Sequence, residues 1–276
     1  MLSLSNKDEK ISRRSLRIIS QIAYDVSGIL LNDKKEDLVF SRLNKRLREN
    51  KISNFEEYCD IIQSDAVERS QMVAALTTNV TAFYREKHHF NYLSNIIRNG
   101  FINKIKNGEE LRIWSAACSS GEEAYSAAMT ASEILADLST AKMKILGTDI
   151  DTNMLERSRI GFYDLEEKKS IPLEIFNKFC LEKGKEFTFK KEILETVRFK
   201  SLNLIAEWPF ESKFHAIFCR NVAIYFDKPT REKLWSRLAE RLHVGGEIYI
   251  GHSERISNPD LLGLRPVGLN SYKRVK

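Results

Sequence analysis

Proline is scarce in this chain, with five in 276 residues, and the earliest is Pro172. No glycine stands between Gly28 and Gly100. A long stretch free of both breakers excludes a turn-rich β architecture there and favours uninterrupted helices. Cysteine is rare too: Cys59, Cys118, Cys180 and Cys219 are scattered, and no two have Cys-x-x-Cys spacing. Neither a zinc site nor a disulfide framework is therefore expected, and a reducing cytoplasm is the expected setting. No apolar run approaches the ~20 residues of a membrane span, and Met1–Lys10 lacks the apolar core of a secretory signal. No Gly-x-Gly-x-x-Gly occurs anywhere, which removes the usual dinucleotide fingerprint.

What is present is an ordinary globular composition, 42% hydrophobic and 30% charged. The length suits two domains, and a chain of this size buries roughly 70–75% of its unfolded surface without needing metal or disulfides. A net charge of +6 favours an anionic partner, leaving nucleic acid, anionic lipid and an acidic protein surface all open.

Helical periodicity runs through the first part: Leu16, Ile19, Ile22 and Ala23; Val39, Phe40, Leu43 and Leu47; Phe55, Tyr58, Ile61 and Ile62; Met72, Val73 and Leu76. The spacing predicts a helical domain over residues 1–76, with Asn32 or Asp33, and Ser53 or Asn54, as N-caps of its second and third helices. A linker over 77–90 follows, and then an α/β domain over 91–276. Its expected strands are Leu111–Ala117, Lys144–Thr148, Val197–Ser201, Phe214–Cys219 and Glu247–Gly251. The clearest helices between them are Ala124–Leu138, Met154–Arg159 and Arg231–Leu242. This alternation predicts a doubly wound, mostly parallel sheet. A hairpin is expected at the end, Leu264–Val267 with Ser271–Val275, and a small β insertion over about 164–196.

The segment Arg112–Ser126 reads as a buried strand, a tight loop of small residues and a helix start. Small residues let a ligand approach the backbone. Glu122 and Glu123 would repel a phosphate there, since a phosphate cradle needs N–H groups and a lysine. A ligand with a cationic or hydroxyl-rich end fits better. Asp149 ends the second strand, where an acid commonly accepts from ribose hydroxyls; it would serve NAD or S-adenosylmethionine equally, and the glutamates tip the choice to S-adenosylmethionine. Asp151 reads better as a helix N-cap. Arg220–Phe226 follows the fourth strand, yet this chain has neither the Pro-Pro-Tyr of amino-methyltransferases nor the Pro-Cys of cytosine methylases, which counts against base methylation. Tyr225 is placed to contact an acceptor or to serve as an interface aromatic. Thr77–Phe90 mixes threonines, Asn79, Phe83, Tyr84 and Arg85 more richly than a plain linker requires; Arg85 suits a carboxylate or a surface ion pair. His88 and His89 read as structural, for want of an acidic or cysteine partner at ligand spacing. Arg42, Lys45, Arg46 and Arg48 lie opposite the apolar set of their helix, as a solvated face or as a dock for an acidic helix.

Five ordered segments together resemble the CheR family of chemotaxis-receptor glutamate methyltransferases: Thr77–Glu86, Trp114–Glu123, Thr148–Thr152, Ile217–Lys228 and Gly251–Glu254. The resemblance implies a helical domain, an S-adenosylmethionine-binding α/β domain and an inserted β-subdomain. By motif position it implies cofactor contacts at Asn79, Thr81, Arg85, Glu123, Asp149, Asn203, Leu204, Arg220 and Asn221. It places Arg85 and Tyr225 beside methyl transfer, and turns Arg42, Lys45, Arg46 and Arg48 towards the receptor's cytoplasmic helical bundle. One departure stands out. Members that tether to a receptor's C-terminal pentapeptide have a longer Gly-x-Gly loop in the β-subdomain, whereas Cys180–Phe187 is short with one glycine. Pentapeptide-independent binding is expected. The implied protein is a cytoplasmic monomer without metal, without nucleic acid and without membrane insertion, its product S-adenosylhomocysteine. The competing readings are a nucleic-acid methyltransferase, motivated by the basic charge, and a non-catalytic cofactor-binding scaffold.

Overall fold

A computed structural model describes residues 11–32, 35–138 and 141–276. Met1–Lys10 and the Asp33 alternative for an N-cap lie outside the described residues. The chain forms two compact units, residues 1–78 with 225–227, and residues 79–224 with 228–276.

The first unit is helical. Helix α1 (Arg13–Ser27) starts where the Ser12 hydroxyl accepts from the Ser15 N–H, and stops at Gly28, whose φ of 74° no bulky residue adopts cheaply. It buries Leu16, Ile19 and Ala23. Helix α2 (Glu36–Glu49) buries Val39, Leu43 and Leu47, the set the spacing picks out. Its N-cap position is Lys35, without a side-chain cap bond; Asn32 contributes only its backbone carbonyl, which accepts from the Lys35 N–H. Helix α3 (Phe55–Ser64) is capped by Asn54 as expected, and α4 (Ala66–Leu76) by Asp65. Tyr225–Asp227 belong to this unit: the Tyr225 carbonyl accepts from the Leu30 N–H and Asp227 accepts from the Tyr24 hydroxyl at 2.7 Å.

The second unit is a doubly wound α/β domain. Strands β1 (Leu111–Ala116), β2 (Met143–Asp149), β6 (Val197–Ser201), β7 (Phe214–Cys219) and β8 (Leu242–Ile250) run parallel in the order β6-β2-β1-β7-β8. The closing hairpin, β9 (Leu264–Gly268) and β10 (Ser271–Arg274), adds antiparallel strands at the β8 edge. Strand β8 begins five residues before the expected Glu247, because Gly245 and Gly246 stay inside the strand. A Cβ at Gly246 would stand 2.8 Å from the His215 carbonyl, so glycine there lets two backbones approach. The insertion is a three-stranded sheet, β3 (Tyr163–Asp164), β5 (Glu186–Phe189) and β4 (Cys180–Lys183). Its β4–β5 turn is only Gly184–Lys185.

Sheet order reverses between β1 and β7, since β2 lies on one side of β1 and β7 on the other. Such a switch point leaves a crevice at the strands' carboxyl ends, where ligands of doubly wound folds bind. Helices α5 (His88–Ile96), α7 (Glu122–Leu135), α8 (Thr152–Ile160) and α11 (Lys228–Glu240) complete the frame used below. No helix among the described residues is long and apolar enough to cross a membrane.

Candidate functional site

The crevice is built from four loops. Strand β1 is buried along almost its whole length and delivers Ala117–Gly121 at its carboxyl end. Ala117 and Ser119 carry φ of 63° and 50°, a conformation costly for residues with a Cβ. It turns the Ser119 N–H onto Asp149 Oδ2 at 2.8 Å, while the Asp151 N–H donates to Oδ1. Burial is the main force pushing the Asp149 carboxyl above its ordinary range, opposed by these N–H donors. Asp151 is the N-cap of α8, accepting from the Asn153 and Met154 N–H groups, and it also accepts from the Asn79 amide at 2.7 Å. The Ser119 hydroxyl donates to the Asn79 carbonyl. Asn79, Ser119, Asp149 and Asp151 thus form one tied group.

Gly121 also serves the loop's own packing. It has φ +99°, and a Cβ there would stand 2.8 Å from Ser158 and 3.0 Å from the Tyr163 hydroxyl. Its smallness lets the loop pack against the protein's own α8 and β3. The two acids after it part company. Glu122 turns to the Ser120 hydroxyl, and burial pushes its carboxyl up. Glu123 accepts from the Ser115 hydroxyl at 2.6 Å and from Arg220 at 2.9 Å. Burial raises the Glu123 carboxyl; Arg220 works against that.

Arg220, at the end of β7, is 3% exposed and joins several loops. One end of its guanidinium holds Glu123; the other donates to the Arg85 carbonyl at 2.7 Å and stands 3.4 Å from Glu86. Arg85 itself donates to the Val80 carbonyl and, among the described residues, makes no ion pair with a carboxylate. Thr81 is half-buried on the same turn. Tyr84 and Glu86 both have positive φ, and the Tyr84 N–H is held by the Ser126 hydroxyl of α7.

Asn221 has φ 59°, and the residue that holds it there was quoted within a motif without a role. Glu254 accepts from the N–H groups of Asn221, Val222, Ala223 and Gly251. One carboxylate therefore fixes the whole turn after β7. Its sequence signal was the acid at the end of Gly251–Glu254. On the β6 side, the Leu202 N–H donates to the Asp149 carbonyl, and Asn203 turns its side-chain oxygen to the Ile205 N–H. Leu204 is buried, its carbonyl accepting from Arg237.

The structure thus brings Asn79, Asp149, Asn203 and Leu204 to the β2 side of the crevice, and Arg85, Glu123, Arg220 and Asn221 to the β7 side. Tyr225 is grouped with the helical unit, its ring 5.9 Å from the Lys35 ammonium. The basic set on α2 divides. Arg46 grips Glu68 with two bonds of 2.6 and 2.5 Å, and Arg42 donates to the Leu76 carbonyl and Thr78. Those two fasten α2 to α4 and beyond it, so the face is not uniformly solvated. Lys45 is 82% exposed, with only a long contact to Glu49, and Arg48 is exposed. His88 and His89 do have an acidic neighbour, Glu86, which the spacing argument overlooked.

The crevice fits the donor molecule that the sequence favours. Two buried carboxylates, Asp149 and Glu123, suit a ribose diol and a cationic end, while Arg85, among the described residues, pairs with no carboxylate.

Comparison with known proteins agrees. The family described as "CheR methyltransferase, SAM binding domain" matches residues 79–267, and "CheR methyltransferase, all-alpha domain" matches residues 14–77. A probable chemotaxis protein methyltransferase of Rhizobium etli is 39% identical over 256 residues, 91% of this chain and 96% of that one. The chemotaxis protein methyltransferase of Escherichia coli is 38% identical, covering 90% of this chain and 86% of its own. That of Borreliella burgdorferi is 36% identical, covering 98% and 97%. With both family domains matched in order over nearly the whole chain, this chain belongs to the CheR methyltransferase family.

Proposed function

We propose that the chain transfers a methyl group from S-adenosylmethionine to glutamate side chains of chemotaxis receptors, forming γ-glutamyl methyl esters during sensory adaptation in the cytoplasm. The carrying observation is the buried Glu123–Arg220 pair facing Asp149 across the crevice. It supplies a carboxylate for a cationic ligand and a second for a diol, with the local charge already balanced.

S-adenosylmethionine supplies a methyl group on a sulfonium leaving group. Asn79, Thr81, Asp149, Asn203 and Leu204 hold its nucleoside end; Arg85, Glu123, Arg220 and Asn221 hold its amino-acid end. The acceptor is a carboxylate, with a pKa of about 4.3 in peptides, already ionised near neutrality. No general base is required. What the residues must do is align the acceptor oxygen in line with the carbon–sulfur bond and strip water from it. Arg85 and Tyr225 serve that alignment. Lys45 and Arg48, the two cations of α2 that are not fastened to α4, steer the acidic receptor bundle, and this steering weakens with salt. The two-residue β4–β5 turn supports docking without a pentapeptide tether, and the chain acts as a monomer with domain limits at 76 and 91.

The test is tritiated S-adenosylmethionine with receptor cytoplasmic fragments. The expected result is label on the receptor that base releases as methanol, lost in Tyr225→Phe or Arg85→Ala. Base-stable label, or label on RNA or DNA, overturns the reading.

A further inference from the structure

Beside Arg220, three side chains converge with polar atoms that no hydrogen bond satisfies. Both carboxylate oxygens of Glu86, Nε2 of His88 and Nδ1 of His89 are buried without a hydrogen-bond partner. Their ligand atoms all lie within 4.8 Å of one another. A buried polar atom left unpaired costs about 1–3 kcal/mol, so several in one place call for a shared partner.

The geometry fixes what kind of partner. Nε2 of His89 stands 3.3 Å from the Leu269 carbonyl, which can only accept. The ring proton therefore sits on Nε2, and Nδ1 presents a lone pair. That lone pair points at Glu86 Oε2, 3.6 Å away. His89 is fully buried. Two lone-pair bearers facing each other repel unless a cation lies between them. The His88 ring is 4.1 Å from that of His89 and adds a third lone pair. Charge balance agrees: Arg220 reaches both Glu123 and Glu86, and one guanidinium between two carboxylates leaves one negative charge for a cation.

We propose that Glu86, His88 and His89 bind a transition-metal dication of the zinc class. Two imidazole nitrogens and one carboxylate oxygen are the donors of such ions, whereas calcium and magnesium take oxygen ligands. Three protein ligands leave a fourth position open. His252, 69% exposed with Nδ1 3.5 Å from Glu86, is within reach of it. The site touches the crevice, because Glu86 shares Arg220 with Glu123.

The experiment uses the full chain, stripped with a chelator and dialysed against zinc chloride, without cofactor or receptor. Its outcome is thus independent of the methyl-transfer reading. Metal per chain is measured by elemental analysis, and Co²⁺ substitution by visible absorption. One zinc per chain and a tetrahedral Co²⁺ spectrum are expected. Affinity should fall at least about 100-fold in both Glu86→Gln and His88→Ala, side chains on the half-buried rim, with folding checked by circular dichroism. His243→Ala, in the separate Glu109–His215–His243 cluster, should bind as the parent does. No stoichiometric zinc, or binding that Glu86→Gln and His88→Ala leave unchanged, or that His243→Ala abolishes, overturns the proposal.

Discussion

The two ends of strand β7 bury polar groups in opposite ways. At the amino end, His215 is fully buried and both ring nitrogens are engaged: Nδ1 accepts from the Arg112 N–H at 3.1 Å and Nε2 donates to Glu109 at 2.9 Å. The ring sits edge-on to Phe101. At the carboxyl end, Arg220 holds Glu123, but its Nε has no hydrogen-bond partner, nor do the oxygens of Glu86. Positive φ gathers on the loops at this end, at Tyr84, Glu86, Ala117, Ser119 and Asn221. One end is closed and relaxed, the other open and strained. Strain and unpaired polar atoms persist only where the surrounding structure overrides them, which marks sites built for a ligand.

The sharpest way to break this contrast is Arg220→Met. It leaves Glu123 buried without its cation, a change expected to cost about 3–5 kcal/mol and to abolish cofactor binding. Thermal denaturation and calorimetric titration check both. The double variant Arg220→Met/Glu123→Gln should recover most of the stability but none of the binding. Recovery of binding would mean that the pair's charge has no part in the site.

Next in size is Glu254→Ala. Four N–H groups lose their acceptor at once, and charge-assisted bonds of this kind contribute about 1.5–3 kcal/mol each without adding fully. A loss of about 2–4 kcal/mol is expected, together with a turn after β7 that exchanges its amide protons faster. Unchanged exchange at Asn221–Ala223 would show that Asn221 holds its conformation unaided.

Between the ends lies Glu247, on β8 beside β7. Burial pushes its carboxyl from the ordinary 4.5 up to about 7, its bond from the Tyr249 hydroxyl opposing the rise. The folded state thus prefers the protonated form. Its contribution is fully present below the ordinary carboxylate range and is lost as pH rises through about 7. Glu247→Gln stays neutral throughout, so it should match the parent near pH 4.5 and exceed it at pH 8 by about 3 kcal/mol. Equal melting curves at pH 8 would show that the folded state ionises Glu247 without cost.

Much of this was legible in the sequence. The helical set Val39, Leu43 and Leu47 follows from periodicity, since burial on one face imposes it, whereas the parallel strands follow from short apolar runs alternating with helices, since both faces of the sheet are covered. Asn54 and Asp151 were legible as caps because their local geometry depends on neighbouring residues alone. Arg46 was not legible as a structural group: its partner Glu68 lies on another helix, and spacing within α2 says nothing of it. Glu254 was missed for the same reason. Its work is on N–H groups 31 to 33 residues away, which no local pattern records. The packing role of Gly121 was not legible, because a glycine in a βα loop looks the same whether a ligand or Tyr163 fills the space.

The smallest effect is expected at the closed end. Glu109→Gln keeps an oxygen that can accept from His215 Nε2, so stability at pH 7.5 should change by less than about 1 kcal/mol. The acid side tells more. Burial holds the His215 pKa below its ordinary value, and Glu109 partly offsets this. A depressed histidine contributes stability above its unfolded pKa, which is lost as pH falls through the folded one. Without the Glu109 charge the folded pKa drops further, so the unfolded state takes up the proton more readily than the folded one over a wider range. The variant should therefore track the parent down to the parent's own depressed folded pKa and fall progressively behind it below that, while cofactor affinity at neutral pH stays at the parent's level. A large loss of cofactor affinity would join the two ends of β7 energetically and end the contrast between them.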